Sequence, residues 1–79
     1  MAVYIPIRKV HDDGVSVGYS YSLDGKRPGV LRIQKGTGQI TLSSQAEGDD
    51  SLHHFYRASH KIKTAWSVGE FPDETCWAS

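Results

Sequence analysis

This 79-residue chain has a single cysteine, no long apolar run and no net charge. The single cysteine excludes an intramolecular disulfide framework and cannot by itself build a thiolate zinc cage. No run of about 18 apolar residues occurs, so the sequence predicts no membrane-spanning helix. Nine Lys and Arg residues balance nine Asp and Glu residues, which argues against a polyanion as the default partner.

The length of the chain and its N-terminal residues indicate how many domains it forms and where it is located. Residues 1–10 lack the apolar segment and the small-residue cleavage site of a secretory signal, which favours a reducing, cytoplasmic location. The hydrophobic fraction of 38% is enough for one thin core. We therefore expect one small globular domain over residues 1–79. Residues 70–79 carry Phe71 and Trp77 and are expected to form an ordered tail that packs on this core.

Alternation of apolar and polar residues predicts four strands before residue 45. The clearest run is 15–23, where Val, Tyr and Leu alternate with Ser and Gly, a pattern typical of a half-buried antiparallel strand. Shorter runs cover residues 3–8, 30–34 and 39–43. Pro6 has no N–H, so the first strand is expected at one edge of the sheet and the fourth at the other. The residues predicted to share the buried face are Val3, Ile5, Ile7, Val15, Val17, Tyr19, Tyr21, Leu23, Leu31, Ile33, Ile40 and Leu42.

From residue 52 onward, apolar residues recur at helical spacing and predict an amphipathic helix of about 16–18 residues. One of residues 49–51 (Asp-Asp-Ser) is expected to cap its start, and Gly69 to end it. Phe55, Ile62 and Trp66 are expected to face the sheet, with Trp66 largely buried. The predicted fold is therefore α+β, a four-stranded antiparallel meander with one C-terminal amphipathic helix packed on one face (ββββα).

The opposite face of the predicted sheet is polar and is expected to meet a partner. Its candidate partner-binding residues are Ser16, Ser20, Ser22, Arg32 and Thr41. Because no catalytic constellation stands out, the leading hypothesis is a non-enzymatic protein-binding domain, such as an adaptor or an immunity-type inhibitor of another protein. The strand over residues 39–43 has no Pro and no outward charge, so we expect weak homodimerisation or partner binding by strand addition there.

The helix offers an alternative, a nucleic-acid-binding module. No acidic residue occurs between His53 and Thr64, although acidic clusters at 47–50 and 70–74 flank this stretch. The candidate phosphate-binding residues are His53, Arg57, His60, Lys61 and Lys63. The open sheet face lacks the stacked aromatics of RNA-binding sheets, Tyr4 apart. Nucleic acid is therefore expected to be the less favoured partner.

A third, more distant interpretation is a small hydrolase or metal-binding protein. His53 and His60 lie on one helix face but about 10 Å apart along the axis, and the i, i+4 pair of a helical zinc site is missing. No Gly-x-Ser-x-Gly motif is present, and Cys76 lies close to the C-terminus of the chain. We therefore expect no catalytic residues, no metal and no cofactor. Residues 55–58, Trp66 and residues 69–72 resemble segments of small bacterial proteins, and this resemblance points to no particular family or activity.

Overall fold

The computed structural model describes residues 3–23 and 25–78 as one layer of β-sheet and one helix. The strands are β1 (Tyr4–Asp12), β2 (Ser16–Tyr21), β3 (Gly29–Gln34), β4 (Ile40–Ser44) and β5 (Glu74–Ala78). The helix α1 (His53–Ser67) lies between β4 and β5 in the chain. The α+β class predicted from the sequence is confirmed.

The five strands form one antiparallel sheet in the spatial order β4-β3-β2-β1-β5. The chain runs as a meander from β1 to β4, and α1 then crosses one face of the sheet to reach the far side of β1. The prediction of four strands followed by a C-terminal helix is wrong in two respects. The sheet has a fifth strand, and this strand follows the helix.

The fifth strand arises from residues 70–79, the segment predicted to form a C-terminal tail. In the register of β1 with β5, Ile5 lies opposite Trp77 and Ile7 lies opposite Thr75. Only these two β5 side chains point towards the core, and an alternation of two positions is too short to predict a strand. Ser79, the last residue of the predicted tail, lies outside the described residues.

Pro6 lies in β1, between β2 and β5, and not at the edge of the sheet. The backbone N–H of Lys9 donates to the carbonyl of Asp73 at 2.8 Å, so alternation directs the nitrogen of Pro6 away from β5 and towards β2. The register places Pro6 opposite Ser22, beyond the last residue of β2. The missing N–H of proline therefore costs no ladder bond, and the outer strands are β4 and β5.

The core lies between α1 and one face of the sheet, here called the covered face. Val17, Tyr19 and Tyr21 in β2 are fully buried, which confirms the alternation predicted for that strand. Val15 departs from the prediction and is 67% exposed, because it precedes β2 in the hairpin turn, where its N–H donates to Oδ1 of Asp13. The buried hydrophobic residues are Ile5, Ile7, Val17, Tyr19, Tyr21, Leu31, Ile33, Ala46, Ala58 and Ile62.

The N-terminal end of α1 is capped by a buried carboxylate that lies outside the helix. Oδ1 of Asp49 accepts the backbone N–H of His54, and Oδ2 accepts that of Phe55, each at 3.0 Å. The Asp49 side chain is almost entirely removed from solvent. Of the three residues predicted as candidates to cap the helix, Asp49 is the one whose side chain does so.

The C-terminal end of α1 is closed at Gly69, as the sequence predicts. Gly69 has a φ of 78°, a left-handed conformation that favours glycine. Its N–H bonds to the carbonyl of Trp66, and the N–H of Glu70 bonds to that of Ala65, each at 2.9 Å. These two bonds satisfy carbonyls that the helix itself leaves unpaired. Trp66 is half-buried, and the expectation of a largely buried indole is wrong.

A cluster of charged side chains holds the segment before β5 against the covered face. Nζ of Lys9 lies 3.2 Å from Oδ1 of Asp73, and Nζ of Lys35 lies 2.9 Å from Oδ1 of Asp12. The hydroxyl of Tyr19 donates to the carbonyl of Pro72 at 2.9 Å. Burial, together with the carboxylates of Asp12 and Asp73, raises the pKa of Tyr19 to about 12. This cluster is internally balanced in charge, so we assign it to the fold.

Candidate functional site

The second face of the sheet, here called the open face, points away from α1. Alternation along each strand and the register between strands define its side chains. Most of them are exposed, and the others are half-buried, apart from the buried Gly18. The open face includes Tyr4, Pro6, Arg8, His11, Gly18, Ser20, Val30, Arg32, Gln34, Thr41, Glu74, Cys76 and Ala78.

A shallow cleft of 370 Å³ lies on the open face, where β1 meets the ends of β2 and β5. Tyr4 and two prolines provide apolar walls, and serine hydroxyls and an ion pair provide polar groups. The combination of apolar walls with few polar groups is typical of binding sites. The lining residues are Tyr4, Pro6, Ile7, Arg8, Ser20, Ser22, Pro28, Glu74 and Thr75.

The charged side chains of the open face are Arg8, Arg32 and Glu74. Nη2 of Arg8 lies 3.1 Å from Oε1 of Glu74, and both side chains are about 70% exposed. Arg32 lies opposite Gly18 in β2 and Thr41 in β4, so uncharged residues flank it on both sides. The face therefore carries two cations and one anion.

The structure brings most of the predicted partner-binding residues to this surface. Ser20, Arg32 and Thr41 share the open face, and Ser22 lines the cleft just beyond β2. Ser16 is only 3% exposed, because the hairpin turn folds against it and Oδ1 of Asp13 accepts its N–H. Ser16 is therefore not available to a partner.

The candidate site also contains Tyr4, Arg8 and Glu74, which are not among the partner-binding residues predicted from the sequence. Tyr4 and Arg8 alternate with Ile5 and Ile7, so the parity of β1 was a signal that could have identified them. Glu74 could not be found in this way, because its place beside Arg8 depends on β5, which the sequence does not reveal.

Of the five candidate phosphate-binding residues, Lys63 is turned away from the others. Nζ of Lys63 donates to the carbonyl of Gly38 at 2.7 Å and lies 5.2 Å from the centroid of the Trp66 ring, which fixes this lysine against the β3–β4 hairpin. At about 100° per residue, Lys61 projects about 160° away from Lys63 and about 40° from Arg57. His53, Arg57 and His60 lie on the outward side of the helix, with His53 and His60 exposed and Arg57 half-buried.

The groups that could serve in catalysis or metal binding are separated or already engaged. Within residues 3–23 and 25–78, no group of three or more His, Cys, Asp or Glu side chains could hold a metal ion. Nδ1 of His54 lies 3.4 Å from Oδ1 of Asp49, but this carboxylate caps α1 with both oxygens. Cys76 is a free, half-buried thiol on the open face, opposite Pro6.

Two further findings bear on the function. In the part of the chain that the structure describes, no helix has the length and apolar character needed to cross a membrane. Comparison of the chain with protein families, with curated proteins and with solved structures gives no match in any of the three.

Proposed function

We propose that this chain is a small, non-enzymatic domain that binds another protein through the open face of its sheet, as an adaptor or an immunity-type inhibitor. The observation that carries the proposal is the asymmetry of the sheet. α1 packs on the covered face, whereas the open face presents side chains from all five strands to solvent.

The side chains of the open face resemble those of protein interfaces. Tyr and Arg are the residue types that most often dominate binding energy, and here Tyr4, Arg8 and Arg32 lie among small residues that a partner could approach closely. Tyr4 is 65% exposed, so its ring is accessible to a partner. A cytoplasmic location is part of the proposal, and the free thiol of Cys76 fits it.

Binding of nucleic acid through α1 is the alternative, and its support is weaker. Lys63 is occupied with the carbonyl of Gly38, so Arg57 and Lys61 are the permanent cations left for phosphates on this helix. Affinity for a nucleic acid rises with the number of phosphates that a protein neutralises. Two permanent cations support only weak binding, so we rank this alternative second.

Face-specific photo-crosslinking in the cells that produce the protein tests the proposal. A photoreactive phenylalanine analogue replaces Ser20 on the open face in one variant and Thr64 on the outward side of α1 in the other. We expect the first variant to form a discrete crosslink to one protein and the second to form none. No crosslink from residue 20, or the same crosslink from both positions, contradicts the proposal.

We also propose weak self-association through β4, an outer strand. The N–H of Gln34 donates to the carbonyl of Gln39, so alternation directs the backbone groups of Ile40 and Leu42 away from β3. The strand contains no charged residue and no proline to protect this edge. Two residues with unpaired backbone groups form a small interface, so the expected dimer is weak.

A further inference from the structure

The charges of the chain are distributed unevenly, although their sum is zero. On the covered face, Asp12 and Asp73 are paired with lysines, and Asp49 is buried as the cap of α1. On the open face, Arg8 and Arg32 are accompanied only by Glu74 among the described strand residues. The open face is therefore the side of the sheet with an excess of positive charge.

The ion pair on the open face can exchange its carboxylate. The distance from Nη2 of Arg8 to Oε1 of Glu74 is 3.1 Å, and both side chains are about 70% exposed. Exposed ion pairs contribute little to the stability of a fold, because water and salt screen the attraction between the two charges. A guanidinium also offers five N–H donors, so it can accept a second carboxylate or replace the first. Arg8 is therefore accessible to an incoming acidic group at little cost.

The surroundings of Arg8 suit an acidic side chain carried on a polypeptide. Ser22 lines the cleft, so its hydroxyl can donate to a bound carboxylate. Ser20 lies opposite Arg8 in β2, and its hydroxyl is 3.4 Å from the carbonyl of Arg8, a long hydrogen bond that it can exchange for one to a carboxylate. Tyr4, Pro6 and Pro28 supply apolar walls for the neighbouring residues of that segment. The cleft thus combines a site for charge with a site for apolar contact.

Arg32 provides a second cation at a spacing that an extended segment can match. Arg32 lies two strands and two residues away from Arg8, which corresponds to about 12 Å between Cα atoms. In an extended chain, side chains four residues apart project to the same side about 13 Å apart. Two carboxylates at that spacing can therefore reach both guanidinium groups.

We propose that the open face binds an acidic, extended segment of a partner protein, with one carboxylate of this segment taking Arg8 from Glu74 and another binding Arg32. This inference rests on the proposed function and specifies the chemistry of the partner. Glu74 occupies the place of the partner's carboxylate in the free protein and competes with it.

The test uses a fluorescein-labelled decapeptide with Glu at positions 3 and 7, Val at positions 1, 5 and 9 and Ser at the others, and the same peptide with Gln in place of Glu. Anisotropy titrations of the full chain at low salt give the affinities. We expect the Glu peptide to bind and the Gln peptide to bind at least about tenfold more weakly. Binding should weaken with added salt, because screening reduces the attraction.

Single substitutions locate the binding and separate this mechanism from general charge attraction. R8Q and R32Q should each weaken binding of the Glu peptide about fivefold or more, whereas R57Q on α1 should change it less than about twofold. E74Q should tighten binding about two- to fivefold, because it removes the competing carboxylate. Circular dichroism confirms that each variant is folded.

The outcomes are distinct. Equal affinity for the Glu and Gln peptides, no binding of either, or an unchanged affinity in R8Q overturns the inference. A single-stranded DNA oligonucleotide that binds more tightly than the Glu peptide, and is lost in R8Q, would assign the face to phosphates and also overturns it. A face-specific crosslink from residue 20 combined with no peptide binding leaves the protein-binding function standing and rejects only the acidic partner.

Discussion

The indole ring of Trp66 lies directly over Gly38, in the hairpin between β3 and β4. A Cβ atom at Gly38 would meet three ring atoms at 2.9 Å, and the backbone there has a φ of 74°. The indole N–H also donates to the carbonyl of Lys35 at 2.8 Å. Both close approach and left-handed backbone therefore require glycine at this position.

Replacing Gly38 with Ala should destabilise the fold by about 2–4 kcal/mol, from the clash with Trp66 and the strained backbone. Gly36 in the same hairpin provides the matched control, since a Cβ there would meet nothing within 4 Å. Gly36→Ala should change the free energy of unfolding by less than about 0.5 kcal/mol. Urea denaturation of the two variants measures the difference, and equal effects would contradict the packing described for Trp66.

The buried carboxylate of Asp49 should be important for the stability of α1. Asp49→Ala leaves the N–H groups of His54 and Phe55 without their acceptor, at a cost of about 2 kcal/mol. Asp50 is exposed, and Asp50→Ala should cost less than about 0.5 kcal/mol. The urea midpoints of the two variants measure the contrast. Similar midpoints would show that Asp49 does not cap the helix.

The β1–β2 hairpin should make stability depend on acid pH. The N–H groups of Ser16 and Val15 bond to the carboxylate of Asp13 and hold its pKa well below the ordinary value. A hydrogen bond from Lys35 lowers the pKa of Asp12 in the same way. Carboxylates with a lowered pKa in the folded state stabilise the fold above their unfolded pKa, about 4, and lose this contribution as the pH falls through the folded pKa.

We therefore expect the urea midpoint to fall as the pH decreases below about 4, and to fall less steeply in Asp13→Asn. Asp50→Asn serves as the control and should keep the slope of the unmodified chain. Identical slopes for the unmodified chain and Asp13→Asn would contradict the role assigned to the Asp13 carboxylate.

Self-association through β4 should be sensitive to one charge at its edge. Thr41 is exposed on the open face, and its backbone groups face β3, so Thr41→Lys leaves the ladder intact. In an antiparallel pair of β4 strands, two lysines would come together and repel each other. The sedimentation coefficient should rise with concentration in the unmodified chain and in Ala78→Lys on the opposite edge, but not in Thr41→Lys. A monomer at every concentration would rule out the dimer.

The alternation of the sequence predicts the centre of the sheet well, because each strand there is half-buried over several residues. Val17, Tyr19 and Tyr21 share the covered face, and the same parity places Ser20 and Arg32 on the open face. The pattern fails at strand ends. Val15 precedes β2 and is exposed, because it belongs to the turn, where its N–H donates to Oδ1 of Asp13.

The remaining differences between the predicted and the observed fold depend on contacts between residues that lie far apart in the chain. β5 is recognisable only from its ladder with β1, and without it neither the internal position of Pro6 nor the pairing of Arg8 with Glu74 can be inferred. The half-burial of Trp66 likewise depends on how α1 crosses the β3–β4 hairpin. Local composition does not encode these relations, because the contacting residues lie far apart in the chain.

The most direct test of the open face as the binding surface is an NMR titration of the ¹⁵N-labelled chain with the protein identified by crosslinking. We predict that the largest amide shifts fall on open-face residues, among them Arg8, Ser20 and Arg32, and that Arg57 and Thr64 on α1 stay unshifted. Shifts concentrated on the outward side of α1, with those three residues unchanged, would contradict the account.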